Sequence, residues 1–151
     1  MCEGDCRIDM MNIYLWSIGK WKSTHCEALV TDYTKRLSHY FEGGHQLFKS
    51  EEKLLAAINS SDFVVNCDEH GKLMTSRELA AFLEKKRDAG TRRMIVVIGD
   101  AQGLTPALKA RADSVWSLSK LTFPHELAQV IAAEQLYRAA TILRGEKYHY
   151  G

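Results

Sequence analysis

The chain has 151 residues, 46% hydrophobic and 26% charged, the size and make-up of one globular domain with a core of its own. Lys and Arg number 20 against 19 Asp and Glu, so contact with any nucleic acid must come from local patches and not from bulk charge. Ten Gly and two Pro exclude a collagen-like or low-complexity chain, and no apolar run nears the roughly 18 residues of a membrane span.

Cys2, Cys6, Cys26 and Cys67 have neither the spacing of a disulfide scaffold nor a matching Cys/His pair for a metal. They read as incidental thiols of a reduced, cytoplasmic, metal-free protein. Residues 1–10 lack a basic start followed by an apolar stretch, so they are not a signal peptide. Met10 and Met11 stand directly before the first strand pattern. The expected organisation is a leader over 1–10 and a single domain over 11–151.

In chain order, residues 12–18 read as a strand closed by Gly19, and a helix capped by Ser23 or Thr24 carries Leu29, Val30, Tyr33 and Leu37 at helical spacing. After Gly43-Gly44, His45–Lys49 is a short strand. The next helix starts at Ser50, where Glu51 and Glu52 suit the positive end of the dipole. Asp62–Cys67 is a third strand, Asp68–Lys72 a turn-rich loop, and Ser76 opens a helix stopped by Gly90. Met94–Ile98 is the unbroken apolar run of a strand buried on both faces of a parallel sheet. Gly99–Gly103 breaks it, and Thr105-Pro106 opens a helix with Pro in its first turn. Ser114–Leu118 is the last strand, and a long helix from Pro124 is expected to share one face among Leu127, Val130, Ile131, Tyr137 and Thr141. This alternation predicts an α/β fold with a mainly parallel sheet flanked by helices.

Ligands of such sheets sit beyond the carboxyl ends of the strands, which singles out the loops Asp68–Lys72, Gly99–Gly103 and Ser119–Pro124. The middle loop has neither the G-x-G-x-x-G order nor a following Gly-Lys-Ser/Thr, so it is a binding loop of another kind or only a tight turn. No G-x-S-x-G elbow, no His pair at metal spacing and no carboxylate cluster appears. His125 and His149, each taken alone, read as surface or structural histidines. Glu134 falls on the apolar stripe of the last helix with Arg138 four residues on, a half-buried structural ion pair before it is an RNA or substrate contact.

Three segments share a further pattern: Trp116–His125, Ala133–Ala139, and Tyr148-His149 near the end. Together with Ser17–Lys20, Asp68 with Gly71-Lys72, and Ile98-Gly99 with Gly103-Leu104, this order and spacing resembles the small SPOUT-class ribosomal RNA methyltransferases of the RlmH type, from Met11 onward. The resemblance implies a C-terminal deep trefoil knot, a rare exception to ordinary chain connections. It also implies methyl transfer from S-adenosyl-L-methionine to N3 of a pseudouridine in large-subunit ribosomal RNA on the ribosome, by a homodimer, with no membrane, DNA or metal involved. By position, it places the cofactor at Cys67, Gly99, Asp100, Ser119, Lys120, Leu121, Thr122, Phe123 and Pro124. It places the catalytic groups at His125, Tyr148 and His149: either histidine as proton acceptor or orienting group, Tyr148 as the residue that positions or stacks on the base.

The chain departs from the family where Asp100 replaces a second glycine, Gln102 an acidic residue, and Tyr150 a terminal cation. An aspartate tolerates φ > 0 less well than glycine, so these positions bear on activity. Basic clusters available to RNA are Lys20 and Lys22 around Trp21, Lys85–Arg87, Arg92-Arg93, and Lys109 with Arg111, each otherwise an ordinary solvated face. Two competing readings are a non-catalytic ribosome- or RNA-binding protein with an eroded site, and a SPOUT methyltransferase of another RNA. Titration with S-adenosylmethionine separates the first from an enzyme.

Overall fold

The computed structural model describes residues 11–150; the leader expected over 1–10 lies outside the described residues. The apolar runs become five strands: β1 (Asn12–Ile18), β2 (Gly43–Phe48), β3 (Phe63–Leu73), β4 (Arg93–Ile98) and β5 (Ser114–Ser117). Between and after them lie α1 (Thr24–Leu37), α2 (Glu51–Ala56), α3 (Ser76–Asp88), α4 (Pro106–Arg111) and α5 (His125–Leu143). The sheet order is β2-β1-β4-β3-β5, and every pairing is parallel.

Central β4 is buried throughout Met94–Ile98, as its unbroken apolar run requires. Its side chains alternate between two cores. Met94, Val96 and Ile98 join residues of α1, α3 and α5, whereas Ile95 and Val97 join Leu54 of α2 and Leu108 of α4. The layers are therefore helix, sheet, helix. Ser23, Ser50 and Thr105 cap their helices by accepting backbone N–H groups, and Thr75 with Glu78 closes a capping box on α3.

Two elements differ from the sequence reading. β3 does not end at Cys67: it leaves β5 after the pair Cys67–Trp116 and rejoins it at the pair Lys72–Trp116, so residues 68–71 bulge between the two registers. Gly71 permits this, because a Cβ there would stand 2.7 Å from the Val115 backbone. On α5 the buried stripe is not led by Leu127, which is 41% exposed. It runs through Val130, Ala132, Ala133, Leu136, Ala139 and Ala140, with Glu126 and Gln129 also buried. Small residues let α5 lie between α1 and α3, and the two polar side chains are satisfied. Glu126 accepts the amides of Lys22 (2.7 Å) and Ser23 (3.0 Å), and Gln129 Oε1 meets His45 Nε2 at 2.7 Å.

Several cations counted as patches in the sequence hold the fold together. Arg87 pairs with Glu84 and Asp88, Arg111 with Asp113, and Lys86 lies over the Phe63 ring. Arg93 donates to Asp62 from Nε (2.9 Å) and Nη2 (2.6 Å), and the Asn59 amide donates to the same carboxylate at 2.7 Å. Burial alone pushes the Asp62 carboxyl up; the hydrogen bonds from Arg93 and Asn59 outweigh it and hold the carboxyl below the ordinary range. With its side chain 2% exposed, Asp62→Ala is expected to destabilise the fold by about 3 kcal/mol, since Arg93 loses its counter-charge. Because the native pKa is depressed, this stabilisation is complete above the unfolded value of about 4 and is lost as the pH falls through the lower native value. Urea midpoints of the wild type and Asp62→Asn across that range check it: the wild type should lose more stability on acidification than the variant.

Candidate functional site

The three loops singled out by their place after strands converge on one cavity of about 350 Å³ at the carboxyl ends of β3, β4 and β5. That is the size of a small-molecule site. The bulge supplies Cys67, Asp68, Glu69 and His70; the β4 loop supplies Gly99, Asp100, Gln102, Gly103 and Leu104; the β5 loop supplies Leu118, Ser119, Leu121, Thr122 and Phe123. His125 and Ala128 at the start of α5, and Lys109 on α4, complete the lining. The first turn of α5 has no side-chain cap, so its amides keep their donor capacity and the positive end of the helix dipole lies at the cavity.

Each loop is held locally. Ser17 Oγ donates to the Ile98 carbonyl at 2.6 Å, fixing the end of β4. Gly99 then passes so close to Gly103 that a Cβ on it would stand 2.7 Å from the Gly103 carbonyl carbon and oxygen, while Gly103 takes φ +90°. Both positions therefore need glycine, one for space and one for conformation. Asp100 does not. Positive φ is confined to glycines among the described residues, and Asp100 stabilises the turn by accepting the Gln102 amide at Oδ1 (2.8 Å) and the Gly103 amide at its carbonyl (2.9 Å). In the β5 loop, Ser117 Oγ donates to the Ser119 carbonyl (2.9 Å), and Ser119 Oγ accepts the Leu121 amide (3.0 Å). Thr122 Oγ1 donates to Glu69 Oε2 at 3.1 Å, tying this loop to the bulge.

The charges in the cavity are tied down in the same way. Asp68 accepts from the His70 amide (3.0 Å) and ring Nδ1 (3.1 Å); the amide bond first, then the ring and Lys109, hold its carboxyl below the ordinary range against the effect of burial. Burial pushes the Cys67 thiol far up, so Cys67 is a neutral wall and not a thiolate nucleophile.

Of the residues named for a cofactor from the sequence, Cys67, Gly99, Asp100, Ser119, Leu121, Thr122 and Phe123 line the cavity. Lys120 and Pro124 lie in the same loop but are exposed and outside the lining. Asp68, Glu69, His70, Leu104 and Lys109 also line it but were not among the residues expected to hold the cofactor. Their signal was only the position of their segments beside strand ends, and Lys109 read as part of a basic patch.

The C-terminal tail is pinned elsewhere. Gly145, at φ +70°, ends α5 with its amide on the Ile142 carbonyl, and the Glu146 amide reaches the Thr141 carbonyl, so the chain reverses along the helix. Tyr40 then donates to Glu146, and Tyr148 donates to Glu134 Oε2 at 2.9 Å with its ring edge-on to Tyr137, centroids 4.7 Å apart. Burial, then the Glu134 bond, pushes the Tyr148 phenol up, so it remains a donor. The expected Glu134–Arg138 pair is present at 2.6 Å, with the guanidinium over the Tyr148 ring at 4.8 Å and Nη1 3.2 Å from His149 Nδ1. His125 stands at the first residue of α5 and Arg138 thirteen residues later, about 20 Å along a helix axis. Within one chain, then, His125 joins the cavity, whereas Tyr148 and His149 stand together well away from it.

A family model described as "Predicted SPOUT methyltransferase" matches residues 11–149, from β1 to the pinned tail. The chain belongs to the SPOUT methyltransferase family. Among its relatives, the "Ribosomal RNA large subunit methyltransferase H" of Christiangramia forsetii is 38% identical, the match covering 93% of this chain and 99% of that one. The protein of the same name from Gloeobacter violaceus is also 38% identical, with 93% and 100% covered. A solved probable methylase family protein of Haemophilus influenzae Rd KW20 superposes with a TM-score of 0.59 at 12% identity, over 93% of this chain and 71% of that one. The SpoU methyltransferase AviRb of Streptomyces viridochromogenes, crystallised with AdoMet, gives 0.51 at 13% identity, over 91% and 59%. At these identities the solved structures establish the fold of this SPOUT methyltransferase and nothing finer.

Proposed function

We propose that this methyltransferase moves the methyl group of S-adenosylmethionine to N3 of a pseudouridine in large-subunit ribosomal RNA, acting on the assembled ribosome in the cytoplasm as a homodimer. The observation that carries the reading is the 38% likeness, end to end, to proteins named for ribosomal RNA large subunit methyl transfer. No helix among the described residues is long and apolar enough to cross a membrane. The knotted path through the β5 loop is what membership of the family implies.

The cavity fits the cofactor. Leu104, Leu118, Leu121 and Phe123 offer apolar walls for an adenine, and the Gly99–Gly103 and Ser119–Phe123 loops bring backbone amides and carbonyls beside them. Bound there, S-adenosylmethionine supplies a methyl group already activated by its sulfonium. The remaining work is the protein's: to hold the base in line, to keep water away, and to help the weakly acidic N3–H lose its proton. His125 lines the cavity, and in this reading either it or His149 accepts or orients that proton while Tyr148 positions or stacks on the base.

Because Tyr148 and His149 are anchored to Glu134 and Arg138, about 9 and 15 Å along α5 from Ala128 at the edge of their own chain's pocket, the site we propose joins the pocket of one protomer to the tail of its partner. Mass spectrometry of large-subunit ribosomal RNA from cells with and without the protein tests the function. Loss of the methyl group from a single pseudouridine is expected, and an unchanged methylation pattern would overturn the reading.

A further inference from the structure

The anchoring of the tail carries more than its position. A guanidinium has five N–H donors and no lone pair to offer, whereas a neutral imidazole has one nitrogen of each kind. Arg138 Nη1 lies 3.2 Å from His149 Nδ1, so Nδ1 accepts there and the ring proton must be on Nε2. The guanidinium is not free to turn away: Nε (3.1 Å) and Nη2 (2.6 Å) both donate to Glu134 Oε2, which also accepts the Tyr148 hydroxyl, and its Cζ stands 4.8 Å from the Tyr148 ring centroid. The second Glu134 oxygen is taken by Gln135 Nε2 at 2.8 Å. One carboxylate thus fixes the guanidinium, and the guanidinium fixes the imidazole.

We infer that Glu134 and Arg138 are positioning residues that hold His149 as its Nε2–H tautomer, so that His149 serves methyl transfer as a hydrogen-bond donor to a carbonyl beside N3 and not as the base that removes the N3 proton. The inference rests on the reading above, in which the tail meets the target base. When N3 loses its proton, the negative charge spreads onto the two carbonyl oxygens flanking it, and a fixed N–H aimed at one of them stabilises that charge. The N3 lone pair then forms the N–C bond to the methyl carbon. The C–S bond breaks, its electron pair stays on sulfur, and the sulfonium becomes a neutral thioether. The N3 proton passes to His125, the histidine that lines the cavity.

The donor and base roles separate on replacement. Glutamine keeps an N–H donor near the Nε2 position and has no basic nitrogen; alanine keeps neither. In single-turnover transfer to ribosomes by the full chain, His149→Ala is expected to fall about 10²–10³-fold, the loss typical of one donor to a developing oxyanion, and His149→Gln to stay within about tenfold of wild type. Cofactor affinity and thermal unfolding, measured on both variants, should be unchanged and so show that each is folded. Equal losses in the two folded variants would overturn the inference in favour of a basic histidine. A wild-type rate in His149→Ala would overturn it differently, by removing the tail from the reaction.

An independent reading comes from nitrogen NMR of the histidine-labelled protein at neutral pH. Nδ1 without a proton and Nε2 with one are expected in the wild type and in Arg138→Lys, which keeps a donor, and a mixture of tautomers in Arg138→Met. A wild-type ring protonated on Nδ1 would overturn the inference whatever the rates.

Discussion

Ending the chain after Lys147 is expected to lower single-turnover methyl transfer to ribosomes by about 10²–10⁴-fold while leaving the affinity for S-adenosylmethionine nearly unchanged. The removed residues include Tyr148 and His149, which make no part of the cavity lining of their own chain but are held in one arrangement by Glu134, Arg138 and Tyr137. A group that acts only once the base is in place stabilises the transition state and contributes nothing to binding the cofactor. Chain ends commonly fray and then tolerate loss; here the reversal at Gly145 and the docked Tyr148 ring argue the opposite. Isothermal titration for affinity, with rapid-quench measurement of the transfer, gives both quantities. Full activity in the shortened chain would show that the tail has no catalytic part.

Gly99→Ala should give the reverse signature, failing at the cofactor first. Its Cβ would meet the Gly103 carbonyl at 2.7 Å and the Leu104 amide nitrogen at 3.1 Å, and all of these are backbone atoms in a turn closed by Asp100. The turn must open or shift. Overpacking of this kind costs about 1–3 kcal/mol, and if the loop holds its bound form only after that cost, cofactor affinity falls about 5- to 150-fold. Titration of the folded variant with S-adenosylmethionine checks it; an unchanged affinity would place the cofactor away from this loop.

What could be read in the sequence was whatever is local in it. Met94–Ile98 announced a central strand because burial on both faces requires an apolar residue at every position, and Ser23, Ser50 and Thr105 announced helix starts because capping is decided within four residues. The convergence of three loops followed from a general property of parallel sheets, whose ligands gather at one end. The bulge of β3 was not legible, since its cause is the approach of Val115 to Gly71, residues 44 apart in the chain. Leu127 misled for a related reason. Hydropathy favours it, yet α5 turns Glu126 and Gln129 inward because the Lys22 and Ser23 amides and His45 await them there. The knot and the substrate came from family resemblance alone, because neither leaves a periodic trace. Glu134 and Arg138 could be paired from their spacing, but the use of that pair to grip Tyr148 and His149 depends on a chain reversal at Gly145 that residue patterns had not suggested.

The proposed active site joins the pocket of one protomer to the tail of its partner. Two proteins impaired in different parts of the site test it directly: the Gly99→Ala chain, weakened in cofactor binding with its tail intact, and the chain ended after Lys147 with its pocket intact. Unfolded together, refolded and assayed at limiting cofactor for transfer of labelled methyl to large-subunit ribosomal RNA, they should regain about a quarter of wild-type activity. Random pairing makes half of the dimers mixed, and each mixed dimer has one site with both parts sound. A mixture no more active than its two parents, although mixed dimers are present, would contradict the shared site.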